Sequence, residues 1–286
     1  EGEFEGLHNK VNQSKWTPDY GSKNKKILQK SGATAIGARD FLIAYNINLN
    51  TTSTRRANAI AFDVREKGRI ARKNNSLTGE ILKDKQGNTI WTPGSLKHVK
   101  AIGWFIEEYG VAQISMNLTN IEETPIHIVF DEVCKKAEKR GIRVTGSELV
   151  GLIPLKSMID AGKHFLKKQH RSTGISEDEI IKIAQKTMGL DEIEKFNPNE
   201  KIIEYRIKES RAKLCNLSLT NFLQKTASES PAPGGGSISA YVGALGASLA
   251  TMVANLSSHK RGWDDKWETF SILAEKGQQY IIKLEK

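Results

Sequence analysis

Between Phe41 and Leu49 every second residue is apolar (Phe41, Ile43, Tyr45, Ile47, Leu49), which predicts a strand with one apolar face. The Thr/Ser cluster at 51–54 then offers a helix cap. Ala57, Ile60, Ala61 and Val64 recur at helical spacing up to Gly68, so an amphipathic helix follows the strand. Residues 69–94 are rich in basic and turn-forming residues without periodicity, and read as a long basic loop. Two further strands are predicted over 99–107 and 111–118, joined into a hairpin at Glu108-Tyr109-Gly110. Thr124, as cap, and Pro125 open a second helix. Its stripe of Ile126, Val129, Phe130, Val133, Cys134 and Ala137 runs to Gly141, and 142–150 is a last strand. The order strand, helix, strand, strand, helix, strand predicts an α+β fold, a ferredoxin-like βαββαβ subdomain with extra C-terminal helices.

Those extra helices are predicted over 154–169 and from the capping box at Ser176 and Glu179 to Gly189. Residues 208–213 are charged and aperiodic, which places a linker at 208–215 between a first domain, 1–207, and a second, 216–286. In the second, Leu219, Phe222, Leu223 and Thr226 restart a helical pattern, which stops at Ser230-Pro-Ala-Pro-Gly-Gly-Gly-Ser237. Residues 238–258 carry no charge, which raises the question of a membrane span. Recurrent Ser, Thr, Asn and Gly argue against a span and for a closely packed, buried helix among the first helices of an all-α bundle domain.

A length of 286 residues allows two domains with real cores. Lysine and arginine outnumber acidic residues 43 to 33, and a net charge of +10 points to an anionic partner: nucleic acid, a membrane surface or an acidic small molecule. Cys134 and Cys215 form no CxxC pair and the six histidines give no HExxH. A disulfide framework and a motif-defined metal site are therefore not expected, and a reducing, cytoplasmic setting is. The acidic opening Glu1-Gly2-Glu3-Phe4-Glu5 has no signal-peptide character, and without an initiator Met the chain reads as a piece of something longer.

The non-apolar side of the first strand carries Asn46 and Asn48, and the third strand carries Gln113, Ser115 and Asn117. These strands are central neighbours in the expected sheet, so the amides form a patch on the face without helices. Such a patch suits a heteroaromatic ligand with ring nitrogens and a carbonyl, and an ordinary solvated sheet face is the plainer alternative. An RNA-binding sheet would need aromatic stacking partners, and residues 111–118 contain none, so nucleic acid is not the expected partner. Lys23, Lys25, Lys26 and Lys30 crowd the segment from Gly21 to Gly32, either as a solvated loop or as an electrostatic funnel for a polyanionic tail. The run from Pro233 to Ser237 opens a helix and either holds an anion or serves as turn and cap. It lacks the P-loop pattern.

Two separated stretches resemble one family. Trp16-Thr-Pro-Asp-Tyr-Gly21 and the run from Gly32 through Arg39-Asp-Phe-Leu-Ile-Ala-Tyr-Asn-Ile-Asn-Leu49 are similar to the second half of a formimidoyltransferase domain. Ser230 to Ser237 and the small-residue helix after it resemble the opening of a cyclodeaminase domain. The resemblance implies a bifunctional folate enzyme. It would move a formimidoyl group from N-formimidoyl-L-glutamate to N5 of tetrahydrofolate, then cyclise it with loss of ammonia to 5,10-methenyltetrahydrofolate, in histidine degradation. It implies no metal and a homo-oligomer. It also implies that no catalytic residue lies in this chain: the family's base histidine belongs before Glu1 and its deaminase aspartate after Lys286. The family's folate-contacting segment maps onto Gly21, Ser22, Lys23, Asn24, Lys25, Lys26, Ile27, Leu28, Gln29, Lys30, Ser31 and Gly32, where lysines would attract a polyglutamylated folate. Asn46, Asn48 and Gln113 would line the cleft. A non-catalytic folate-binding or scaffold protein is the competing reading.

Overall fold

The computed structural model describes residues 10, 13–21, 24–32, 34, 36–75, 79–207 and 214–285. Of the linker expected at 208–215, residues 208–213 lie outside them, as do Ser22 and Lys23. The chain forms two compact units, Glu1–Asp40 and Phe41–Lys286. In the first, a 3-10 turn spans Ser14–Trp16 and a short helix, α1, spans Lys25–Ser31, where the lysine-rich stretch alone reads as a loop. Gly21 (φ 83°) and Gly32 (φ 70°) flank it in the left-handed region, which glycine enters without a Cβ penalty.

The second unit is built on strand β1 (Ile43–Leu49). Ile43, Tyr45, Ile47 and Leu49 have no exposed surface, whereas Phe41 precedes the strand and is exposed, so the apolar alternation begins two residues later than the sequence implies. Helix α2 (Thr54–Val64) starts where the Ser53 side chain accepts from the Arg56 N–H, and it buries Ala57, Ile60, Ala61 and Val64. The stretch 69–94 is not an unstructured loop. Two-residue strands β2 (Arg69–Ile70) and β3 (Trp91–Thr92) pair antiparallel, and bridges Arg72 to Ile81 and Lys83 to Thr89 extend them into a ribbon. Such short pairings lack the alternation that would announce them.

Strands β4 (Val99–Ile106) and β5 (Val111–Leu118) form the expected hairpin, followed by helix α3 (Ile126–Glu138) and strand β6 (Val144–Val150). The four long strands make one antiparallel sheet in the order β4-β5-β1-β6, with β1 central between β5 and β6. Thr124 does not cap α3: its hydroxyl donates to the Lys97 carbonyl, and Pro125 is the N-cap. Cys134 is half-buried at the margin of the core, and burial raises its thiol pKa to about 11. Both sheet edges are covered. Asn58 of α2 donates to the Gly103 carbonyl and accepts from its N–H on β4, and the Ser147 N–H of β6 donates to the Gly189 carbonyl.

That carbonyl ends helix α5. Helix α4 (Leu155–Lys168) begins at Pro154, and α5 (Glu177–Met188) begins with the capping box of Ser176 and Glu179 and stops at left-handed Gly189. The buried Tyr45 hydroxyl donates to Ser147 Oγ, which donates to the Met188 carbonyl, so the sheet core is tied to the end of α5.

Helices α6 (Leu219–Thr226), α7 (Gly235–Ser257) and α8 (Trp267–Leu284) complete the chain. Helix α7 is not buried as expected. Ala244, Thr251 and Ala254 are covered, while Val242, Leu249 and Val253 are about 60% exposed. Small-residue composition allows close packing but does not supply a covering partner on every side. By length and composition α7 is apolar enough to cross a membrane, though one such helix is weak evidence for a span. Its Thr251 packs against Gly277 of α8.

The loop between α4 and α5 locks this hairpin to the sheet unit. Thr173 N–H donates to Ser271 Oγ, Thr173 Oγ1 donates to Glu275, and Lys163 Nζ donates to the same carboxylate at 2.8 Å. Asn255 Nδ2 donates to the Gly174 carbonyl at 2.9 Å. A Cβ on Gly174 would collide with the backbone of Ala274. Gly174→Val is therefore expected to release α7 and α8: amide exchange over Trp267–Leu284 should accelerate about tenfold or more while β1 stays protected, and unchanged exchange would refute the lock.

Helices α3 and α4 meet at a histidine pair. The His127 and His164 rings are 4.5 Å apart, His127 Nδ1 is buried without a partner among the described residues, and His164 Nε2 faces Asp131 at 2.7 Å. Burial, then repulsion from His164, lowers the His127 pKa to about 4, with Asp160 and Asp131 opposing and Lys156 adding to the effect. The unfolded chain, titrating near 6.5, binds the proton first, so stability falls as pH drops from about 6.5 towards 4. Urea denaturation at neutral and acid pH should show His127→Leu with a flatter pH dependence than the parent, and equal slopes would contradict the assignment.

Candidate functional site

The face of the sheet turned away from α2 and α3 carries Lys100, Ile102 and Trp104 from β4, Gln113, Ser115 and Asn117 from β5, Asn46 and Asn48 from β1, and Glu148 and Val150 from β6. Among the described residues no helix covers it: Ile102, Trp104 and Val150 are each more than 40% exposed. The three amides expected as an open patch are brought together, as Asn48 pairs with Gln113 in register, but they are not exposed. Asn46 is 5% exposed, and Asn48 and Gln113 are fully buried.

The cause is hydrogen bonding with residues that the strand alternation of β1 and β5 does not reveal. Glu192, in the loop after α5, accepts from Asn48 Nδ2 at 2.6 Å. Asn48 Oδ1 accepts from Gln113 Nε2 at 2.6 Å, and Gln113 Oε1 accepts from Trp104 Nε1 at 3.1 Å. Glu148 accepts from Asn46 and from Gln113, each at 3.3 Å. The result is a relay running carboxylate, amide, amide, indole across three strands, with a second carboxylate alongside it. It points each amide in one sense only, because Glu192 and the indole N–H fix which end donates and which accepts. Gly146 lets Glu192 approach: a Cβ there would lie 2.5 Å from Glu192 Oε2.

Glu148 was discoverable from the sequence as the outward residue beside Leu149, and Trp104 from the alternation of β4. Glu192 was not, since it reaches the sheet from a loop 144 residues after Asn48. The exposed Trp104 also supplies one aromatic surface on this face, on β4 rather than β5. Chemically, the surface offers an apolar rim for a flat ring and two fixed carboxylates for ring N–H or amino donors.

Of the lysine-rich segment, Lys26, Lys30 and Ser31 are exposed, Ile27 is half exposed, and the Asn24 side chain accepts from the Lys26 N–H at 2.9 Å. Lys25, Leu28 and Gln29 lie in α1, where nothing is described beyond the backbone.

A four-stranded antiparallel sheet with helices on one face, followed by a helical hairpin whose first helix is uncharged, defines a two-part α+β protein. Family models match both parts. The formiminotransferase domain covers residues 44–208 and the formiminotransferase-cyclodeaminase model covers 218–286. Over 265 residues the chain is 40% identical to the formimidoyltransferase-cyclodeaminase of Gallus gallus, covering 92% of this chain and 45% of that protein. It is 38% identical over 267 residues to that of Dictyostelium discoideum, with the same coverage. Against the glutamate formimidoyltransferase of Thermoplasma acidophilum it is 35% identical over 165 residues, which is 58% of this chain and 45% of that enzyme. The chain belongs to the formiminotransferase-cyclodeaminase family and spans just under half the length of these relatives.

The relay sets a stability prediction. Gln113→Leu strands the Trp104 indole, Asn48 Oδ1 and Glu148 at once, and is expected to cost about 1–3 kcal/mol in urea denaturation. Gln113→Glu places a carboxylate beside Glu148, so its destabilisation should be larger at neutral pH than near pH 5. A pH-independent loss would show that the carboxylates do not face this amide.

Proposed function

We propose that the chain is the second, ferredoxin-like subdomain of a glutamate formimidoyltransferase joined to the opening helices of a cyclodeaminase. The carrying observation is the order of the two family matches, 44–208 then 218–286. The gap between them contains most of the 208–215 stretch that we assign as the linker. In this reading the enzyme takes N-formimidoyl-L-glutamate and tetrahydrofolate, passes the formimidoyl group to N5, and closes the ring to 5,10-methenyltetrahydrofolate with release of ammonia, in histidine degradation. The first step needs a base for the amine proton and donors for a tetrahedral intermediate. The chain's own part is binding and orientation, and the two catalytic residues belong to neighbouring segments of the longer enzyme.

Two surfaces support folate as the ligand. The segment Gly21–Gly32 presents exposed Lys26 and Lys30 to an anionic tail. On the sheet, Trp104 and Ile102 offer apolar area while Glu148 and Glu192 accept from amino and ring N–H groups, which a pterin carries. Asn46, Asn48 and Gln113 then act through the relay, holding the carboxylates and the indole in place, rather than touching the ligand as a patch. The exposed apolar side of α7 suits coverage in a homo-oligomer, and a cytoplasmic setting fits the two cysteines without a pairing motif.

In the longer enzyme, Lys25→Ala with Lys26→Ala is expected to weaken polyglutamylated folate about tenfold more than the monoglutamate, with the difference fading at high salt. An unchanged ratio of the two affinities would remove the lysines from the account. Equilibrium binding with both ligands measures it.

A further inference from the structure

On the opposite side of the second unit, α2 and the ribbon of β2 and β3 enclose a cavity of about 480 Å³. Its lining includes four arginines, Arg55, Arg65, Arg69 and Arg72, together with the rings of Phe62 and Trp91. Helix α2 packs its other side into the core through Ala57, Ile60, Ala61 and Val64, so this cavity does not open on the sheet face that carries Trp104 and Glu148.

Arg65, Arg69 and Arg72 are held in place by backbone carbonyls, and of these Arg69 alone has a carboxylate partner among the described residues. Arg65 Nε donates to the Gly68 carbonyl at 2.8 Å, and its guanidinium lies 3.9 Å over the Phe62 ring. Arg72 donates to the Gly79 carbonyl at 2.6 Å, and Arg69 donates to the Ala59 carbonyl at 2.7 Å. Asp63 is the carboxylate at this site, and it is shared between Arg69 and Arg140. Among the described residues, Arg55, Arg65 and Arg72 have no carboxylate partner. Lys67 adds a further positive charge 4.6 Å over the Trp91 ring.

Gathering guanidiniums this closely in a partly dry pocket is unfavourable without a counter-charge. Burial, then the charge of Arg69, holds Arg65 below the usual guanidinium range. Fixed guanidiniums bind phosphate or carboxylate through paired hydrogen bonds, and Arg65, Arg69 and Arg72 are already oriented by backbone carbonyls. The apolar remainder, Phe62, Ile70, Ala59 and the half-exposed Trp91, exceeds what a bare inorganic anion needs. The volume falls within the range of small-molecule sites, about 300–1,000 Å³.

We propose that this cavity is a second ligand site, separate from the sheet face, which takes a small organic anion made of a flat ring and a phosphate, of the nucleoside monophosphate class. Phosphate engages Arg55, Arg65 and Arg72, and the ring lies against Phe62 and Trp91.

Calorimetric titration of the chain at low salt tests it with three probes: AMP, adenosine and inorganic phosphate. AMP is expected to bind saturably at one site, and adenosine and phosphate each about tenfold or more weaker, since each supplies half of the recognition. Arg55 is exposed and its side chain has no hydrogen bond or ion pair among the described residues, so Arg55→Ala is expected to leave the structure intact and to weaken AMP about threefold or more. Arg55→Ala with Arg72→Ala should weaken it about tenfold or more. Phosphate binding as tightly as AMP, no saturable AMP binding, or AMP affinity unmoved in both variants would overturn the proposal. Competitive displacement of AMP by pteroylglutamate would overturn the separateness of the site.

Discussion

Strand β1 is hydrogen-bonded along both edges and buried on both faces, and the rest of the second unit is arranged to satisfy that constraint. Its apolar side, Ile43, Tyr45, Ile47 and Leu49, is sealed by helices. Its polar side carries Asn46 and Asn48, and a buried amide is tolerated only when its donors and acceptors are paired. Gln113, Glu148 and Glu192 do the pairing, one from a neighbouring strand on each side and one from the loop that ends α5. The same loop covers the edge of β6, so the termination of a helix at Gly189 secures the sheet edge and delivers the Glu192 carboxylate to the sheet's polar face.

This arrangement separates support from contact. The amides and the Trp104 indole form a single relay with one orientation, so the surface above them is set before any ligand arrives. Pre-set acceptors and an apolar rim reduce the ordering cost of binding a flat, amino-bearing ring. The hairpin of α7 and α8 is fixed to the loop after α4 through Thr173, Gly174 and Glu275, which makes these two helices an extension of the sheet unit's own packing.

Local signals in the sequence were readable where local physics decides. The alternation of β1, the face of α2 and the capping box of α5 each follow from a few neighbouring residues, and each is found where the pattern puts it, except that β1 starts at Ile43 rather than Phe41. The ribbon at 69–92 was not readable, because two-residue strands leave no alternation. The burial of Asn46, Asn48 and Gln113 was not readable either, because it depends on Glu192 arriving from another part of the chain. Likewise the uncharged run in α7 shows what the helix can pack against, but not that one side of it is left open.

The central claim is that the sheet face above this relay receives the pterin ring. The most direct measurement is an NMR titration of the chain with 5-formyltetrahydrofolate, following the indole N–H of Trp104 and the side-chain amides of Asn46, Asn48 and Gln113. The account predicts that these resonances shift together and saturate with one affinity, because the relay transmits a change at either carboxylate. Saturable binding that leaves all four unmoved would contradict it.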